Sequence, residues 1–276
     1  MRPAETPAPD GGAYAQPTPR VLYVHDDLTA EVCRRLGADS PAVALVRALF
    51  GALSRDPERV VVLTVEEQVE RVVAQGSPGP FDFALGIGRA GVRVAEALHA
   101  RTGWFPRIQR VGLTREEDGR GGYRVVSTEA TSLTAQLEGV TAAASLAVVD
   151  DTVFSGLTMR TVLAALPPEV RARTRAFALR GVAESVPPLA ALCPITVGVA
   201  APGRILRDVS FLNATGLVLR VAIRRRGAPA LAFFDRPEWI RAWFPGRADE
   251  ILDLCRRLNA LLEAAPDPST DSRGIR

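Results

Sequence analysis

The chain contains no lysine, so all 34 of its basic residues are arginine. With the abundance of alanine, valine, leucine and proline, this points to a GC-rich genome rather than to a function. The net charge of +3 is small for 276 residues, and no basic stripe runs along the chain, so nucleic acid is not an expected partner. The densest cluster, Arg224, Arg225 and Arg226, reads as a solvated strand end or turn. Cysteine is scarce: Cys33, Cys193 and Cys255 lie far apart and form no CxxC pair. That excludes a disulfide framework and a structural zinc site of the usual spacing, and points to the cytoplasm. The first residues lack an apolar run flanked by positive charge, so no signal peptide is expected. No apolar stretch is long and uninterrupted enough to span a bilayer, so no membrane partner is expected either.

A hydrophobic fraction of 47% on this length supports a large core, as one enlarged α/β domain or one domain with a small cap. Residues 1–19 and 265–276 read as disordered tails rich in Pro, Ala and polar residues. The ordered chain begins at Arg20, with a short strand ending in His25, Asp26 and Asp27. Residues 28–55 carry helical spacing, interrupted by a polar turn at 37–40. Asp27 with Thr29 suffices to cap the first helix. The His-Asp-Asp triplet has no second ligand cluster, as a zinc site would require. Residues 58–74 read as a further strand and helix.

After the linker QGSPGP comes FDFALGIGRAGVRVAEALHA (81–100): a strand from Phe81 to Leu85, a glycine loop from Gly86 to Gly91, and a helix. Such a loop brings backbone N–H groups to an anion, and Arg89 adds a charged fork. The glycine spacing does not match GxGxxG, and no acidic residue ends a following strand at the distance a dinucleotide site needs. Residues 107–130 read as two strands joined by a charged, glycine-rich connection at 114–122.

The rest of the chain is organised around SLAVVDDTVFSGLTMRTVLAA (145–165). A buried strand, Leu146 to Val149, ends in two carboxylates, followed by a Ser-Gly turn and a helix. In an open parallel sheet this is where a phosphate binds, against free N–H groups and the positive end of a helix dipole. Asp150 and Asp151 would repel a bare phosphate. Ribose hydroxyls or a divalent metal must therefore lie between, which favours a sugar phosphate. The plain structural alternative is a strand, a polar turn and a helix capped by Asp151 or Thr152. Strands at 174–185 and 194–205 would complete five parallel strands with those at 81, 107 and 146. At 228–262 an aromatic group (Phe233, Phe234, Trp239, Trp243 and Phe244) marks a satellite core, a dimer contact or a stacking surface, followed by an amphipathic helix from about Ala248.

The run VVDDTVFSGLT resembles the phosphoribosyl pyrophosphate (PRPP) loop of type I phosphoribosyltransferases, with Asp150, Asp151, Ser155, Gly156 and Thr158 on the pattern and Phe154 and Leu157 departing from it. GIGRAG resembles the pyrophosphate loop of the same family and stands in the expected order. The resemblance implies a doubly wound, mostly parallel five-stranded α/β sheet. A single domain at 20–264 would have its core at about 80–205 and hood elements at 20–75 and 205–264.

It also implies transfer of 5-phosphoribosyl from PRPP to a nucleophilic acceptor, a nucleobase or a specialised metabolite such as an aminoglycoside, with Mg²⁺ as cofactor and pyrophosphate as product. Asp150 and Asp151 would hold the ribose hydroxyls, directly or through the metal. Thr152, Val153, Phe154, Ser155, Gly156, Leu157 and Thr158 would hold the 5-phosphate. Gly88, Arg89, Ala90 and Gly91 would hold the pyrophosphate, with Arg115 and Arg120 closing over it from a lid. Arg207-Asp208 matches an Arg-Asp pair of hypoxanthine-type members over two residues only. Expected partners are PRPP, a small-molecule acceptor and a second copy of the chain. The competing readings are a non-catalytic protein that binds PRPP or a nucleotide to regulate a partner, and a sugar-phosphate hydrolase with Asp150 as nucleophile, for which no second motif is present.

Overall fold

A computed structural model describes residues 21–76, 78–117, 123–203, 211–225 and 227–265. The two tails up to residue 20 and from 266, together with Arg120, Arg207, Asp208 and Arg226, lie outside these residues.

Local signals place the first elements as expected. Strand β1 (Leu22–His25) leads into α1 (Leu28–Leu36) and α2 (Pro41–Leu53). The start of α1 is held by Asp26, not Asp27: the Asp26 carboxylate accepts from the Thr29 N–H at 3.0 Å and hydroxyl at 2.9 Å. At α2 the Ser40 hydroxyl caps the Ala42 N–H, with Pro41 opening the helix. Strand β2 (Val60–Leu63) is followed by α3 (Val65–Val73), which begins with a reciprocal Thr64–Glu67 capping box.

The middle of the chain is β3 (Phe83–Ile87), α4 (Gly88–Thr102), β4 (Ile108–Val111), the hairpin β5 (Leu113–Glu117) and β6 (Tyr123–Ser127), α5 (Leu133–Leu137), β7 (Leu146–Val153), α6 (Leu157–Ala165), α7 (Pro168–Arg171), β8 (Thr174–Val182), α8 (Val186–Ala190) and β9 (Ile195–Ala201). The end of the chain adds β10 (Phe211–Asn213), α9 (Ala214–Val218), β11 (Ile223–Arg225), β12 (Ala228–Leu231), α10 (Pro237–Trp243) and α11 (Ala248–Ala264).

The five-stranded sheet runs β4-β3-β7-β8-β9, with every neighbouring pair parallel. This is the α/β sheet that the strand count required. Strand β7 is central, and its residues alternate between two cores because side chains of a strand point to opposite faces. Leu146 and Val148 face α5 and α6, with Met159, Val162 and Leu163. Ala147 and Val149 face α3 and α4, with Val72, Val94 and Leu98. Helices thus cover both faces, as a doubly wound sheet needs.

The flanking elements are more organised than a hood. Strands β10-β1-β2 form a second parallel sheet. It is covered by α1, α2, α9, α10 and α11 over a core of its own, including Val24, Leu49, Leu217, Ile240 and Leu258. Both ends of the described chain build this outer unit, while Phe83–Ala201, with α3 packed on its sheet, forms the inner one. A small apolar cluster of Leu63, Val182, Val199, Ala201 and Phe211 joins them.

The aromatic group proves to be mainly satellite core: Phe234, Trp243 and Phe244 are buried there, while Phe233 and Trp239 are only partly covered. The expected charged connection at 114–122 is shorter than read. Residues 114–117 are strand, and β5 pairs with β6 on one side and β11 on the other, in a four-stranded sheet β12-β11-β5-β6.

Candidate active site

The central strand outruns its expected end by four residues, so Asp150, Asp151, Thr152 and Val153 all belong to β7. Hydrogen bonding to β8 continues that far, pairing Asp150 with Ala178, Thr152 with Arg180 and Val153 with Gly181. The two carboxyls stand in unlike surroundings. Burial raises Asp150 well above the ordinary aspartate value, and the neighbouring Asp151 charge pushes the same way. Burial alone would also raise Asp151, but the Arg180 charge and an Asn213 hydrogen bond outweigh it and hold that carboxyl at about 2. One member of the pair therefore retains a proton where the other is ionised, the arrangement by which paired carboxylates take separate roles.

Arg180 organises this chemistry. Its side chain is completely buried. One terminal nitrogen donates to Asp151 Oδ2 at 3.1 Å and to Asn213 Oδ1 at 2.7 Å, and the other donates to Gln68 Oε1 at 3.2 Å. Gln68 in turn donates through Nε2 to His25 Nδ1 at 2.7 Å and to the Thr64 carbonyl at 2.8 Å. Burial and the Arg180 charge lower His25 to about 3, so its ring stays neutral and Nδ1 is the acceptor. Asn213 Nδ2 donates to Asp151 at 3.1 Å and to Asp27 at 3.4 Å, and Asp27 accepts from the Thr215 N–H and hydroxyl. Burial raises Asp27 despite these bonds.

His25 and Asn213 are the last residues of β1 and β10, and they pair across that sheet. Asp151 and Arg180 lie near the ends of β7 and β8. The carboxyl ends of two parallel sheets therefore meet at one polar seam, where loops and strand ends of α/β sheets carry their ligands.

Two helix starts border the acid pair. The glycine run at 86–91 is not a loop: β3 passes directly into α4 through Gly88, whose φ of 62° a side-chain-bearing residue adopts poorly. A Cβ on Gly86 would come within 2.5 Å of the Val92 nitrogen, and one on Gly91 would collide with the Val149 carbonyl. Gly86 thus lets α4 fold back closely on β3, and Gly91 lets it lie directly on the central strand. The N-cap residues of α4 and α6, Ile87 and Gly156, supply no side-chain hydrogen bond to the first turn. The turn into α6 is Phe154–Gly156, with Gly156 at φ 69° and the Ser155 hydroxyl accepting the Leu157 N–H at 3.2 Å. The helix cap is thus Gly156 rather than Asp151 or Thr152.

These placements sort the expected site residues. Asp150, Asp151, Ser155, Gly156, Leu157 and Thr158 gather at the end of β7, and Gly88, Arg89 and Ala90 open α4 beside it. Three residues serve differently from expectation. Thr152 is buried and donates its hydroxyl to Asp151 at 3.1 Å, Val153 is buried in the strand, and Gly91 is buried against β7. Phe154 packs toward Phe211 and Val182, and the Arg115 guanidinium lies over its ring, 5.3 Å from the centroid. The Arg115 charge favours ionised Asp150, so Arg115 stands within electrostatic reach of the pair.

Sequence reasoning missed Arg180, Gln68, Asn213 and Thr215, left His25 without a role and read Asp27 only as a helix cap. The available signal for Arg180 was an arginine inside the otherwise buried run AFALRGV. Among the described residues no three His, Cys, Asp or Glu side chains form a metal-holding group, and no helix is long and apolar enough to cross a membrane.

No family model matches the chain, and no curated protein matches it. It is similar in structure to a purine phosphoribosyltransferase from Pyrococcus horikoshii (12% identity, 70% of this chain and 92% of that one, TM-score 0.33). It is similar also to an APRTase from Giardia lamblia complexed with 9-deazaadenine (12%, 55% and 84%, TM-score 0.35). A third similar structure is a hypothetical protein from Neisseria gonorrhoeae with bound ppGpp (17%, 54% and 80%, TM-score 0.36). Overlaps this loose leave the site residues to be judged on their own geometry.

Proposed function

We propose that this protein transfers 5-phosphoribosyl from PRPP to a nucleophilic acceptor and releases pyrophosphate. The observation that carries the reading is the Asp150–Asp151 pair, with its split protonation, set between the starts of α4 and α6 at the carboxyl end of the central strand. The PRPP-loop and pyrophosphate-loop resemblances fall on the same two helix starts.

In this reading the first turn of α6, with Ser155, Gly156 and Thr158, holds the 5-phosphate through backbone N–H groups and hydroxyls. Gly88, Arg89 and Ala90 at the start of α4 hold the pyrophosphate. Asp150 and Asp151 hold the ribose hydroxyls. Displacement at the anomeric carbon passes through an oxocarbenium-like state, so these groups act by alignment and by stabilising charge on the leaving group.

The donor set fits Mg²⁺, which binds through one or two carboxylates while substrate phosphates and water complete its shell. Asp150, and Asp151 indirectly, would hold it, and it would neutralise charge on the pyrophosphate oxygens. Because Asp150 retains its proton above the usual range, the cation would have to displace that proton.

One observation favours a second reading, a PRPP or nucleotide sensor without turnover: Asp151 is already engaged by Arg180, Asn213 and Thr152. Calorimetric titration with PRPP and Mg²⁺, followed by a pyrophosphate-release screen over acceptor classes, separates the two. Binding that needs Asp150 and Asp151, followed by release with an acceptor, supports transfer. Binding without release for every acceptor class supports the sensor, and no binding to the folded protein removes both.

A further inference from the structure

A cleft of about 150 Å³ lies between the two units and reaches Phe154 on the turn that leaves β7, with Arg115 and Tyr123 of the hairpin on one side and Phe233, Trp239 and Trp243 on the other. The three rings of the outer wall touch one another, with centroids 5.5 to 6.3 Å apart. Trp243 is buried, but Phe233 and Trp239 remain only partly covered and line the open space. Phe154 closes the end nearest β7, beneath the Arg115 guanidinium. A ligand lying in the cleft would have ring faces beside it and a cation at the edge nearest Asp150.

The lining selects by chemistry. Aromatic rings attract one another beyond the area they bury, which favours a flat ring. The polar side chains of the lining are the Thr114 and Tyr123 hydroxyls and two guanidiniums, Arg115 beside Phe154 and the exposed Arg224. No carboxylate or amide side chain lines the cleft, so the N–H donors of a ring meet few acceptors there while a negative group meets cations. A ring whose polarity is gathered in one carboxylate suits this lining, because a guanidinium fork matches a carboxylate with two parallel hydrogen bonds.

We propose that this cleft is the acceptor site and that the acceptor is a planar aromatic acid with a nucleophilic nitrogen, its ring against Phe233 and Trp239 and its carboxylate on Arg115. The inference rests on the transferase reading for the word acceptor, while binding of the aromatic acid stands apart from it. In the transfer the acceptor nitrogen forms a C–N bond to the anomeric carbon as the C–O bond to pyrophosphate breaks. Pyrophosphate leaves with the bonding electrons; an N–H acceptor then gives its proton to solvent, and a pyridine-type nitrogen keeps the positive charge.

Tryptophan fluorescence of the full chain provides the test, since Trp239 and Trp243 lie in the cleft. Benzoate and pyridine-3-carboxylate are titrated against their uncharged amides and against adenine, with and without saturating PRPP, and PRPP binding is measured on the same sample by calorimetry. The acids are expected to bind at least about ten-fold more tightly than the amides, a preference worth about 1.4 kcal/mol. That preference disappears in Arg115→Gln and persists in Arg224→Gln, whereas Phe233→Leu weakens acid and amide alike; loss in Arg224→Gln alone overturns the assignment of the carboxylate to Arg115. If PRPP binds but no acid does, the cleft proposal is overturned and the transferase reading stands. Acid binding without any PRPP binding keeps the aromatic-acid site and overturns its role as an acceptor site. Adenine binding more tightly than the acids overturns the assigned ligand class.

Discussion

Replacing Arg180 by methionine tests whether the seam works as described. The substitution keeps most of the side-chain volume and removes the guanidinium that donates to Asp151, Asn213 and Gln68. Two lost bonds to neutral acceptors cost about 1 kcal/mol each and the charge-assisted one about 2, together about 4 kcal/mol. The figure agrees with the 3–5 kcal/mol typical of removing one partner from a buried ion pair.

Urea unfolding of wild type and Arg180→Met at neutral pH measures the loss. Adding Asp151→Asn to the methionine variant should restore about half of it, because the uncompensated buried charge is then gone. Asp151 should also titrate well above the value of about 2 that Arg180 imposes, visible as a carboxyl resonance shift in the single variant. A loss below about 1 kcal/mol, or a double variant no more stable than Arg180→Met, would refute the assignment of Arg180 as the charge partner.

The remaining expectations concern pH, packing and the ligand. His25 gains a proton near 6.5 in the unfolded chain but only at about 3 in the native protein, so the unfolded state binds more protons in between. Its contribution to stability is therefore lost as pH falls from 6.5 toward 3, and His25→Gln should flatten that part of the urea-midpoint profile. PRPP affinity should weaken on acidification with a midpoint above the ordinary aspartate value of 3.8, because protonated Asp150 loses the charge that strengthens its bond from a ribose hydroxyl and its hold on a cation. Calorimetry on Asp150→Asn should show weak binding without that dependence. Gly91→Ala, which forces α4 off the Val149 carbonyl, should cost about 1–3 kcal/mol in urea unfolding and weaken inorganic pyrophosphate binding. Equal stability and equal affinity would show that α4 does not depend on this close approach.

Much of the inner unit was legible because its signals are local. Apolar runs such as LAVV and FAL mark their strands, and the acid pair stands immediately behind the first of them in sequence. The legible part stops where partners are far apart in sequence. Arg180 meets Gln68 across 112 positions, and Asn213 meets Asp27 across 186. No periodicity carries that information. The glycines at 86–91 were read as a loop because a loop and a tight strand-to-helix passage use the same residue for different reasons; only the collision with Val149 distinguishes them. The outer unit was read as hood because its sheet is completed by β10, three residues long and remote from β1 and β2 in the chain. Asp27 was read as a cap because the same residue types serve as caps and as buried acceptors.

The two ends of the described chain share one unit, and this sets an order of events during synthesis. The five-stranded sheet is complete once Ala201 has been made, while Asn213, Thr215 and α11 still lie ahead. At about 5–20 residues per second, that interval lasts on the order of several seconds. Until then Asp151 has Arg180 as its charge partner but lacks the Asn213 hydrogen bond. The surroundings of the acid pair are thus completed last, by a residue that belongs to the other sheet.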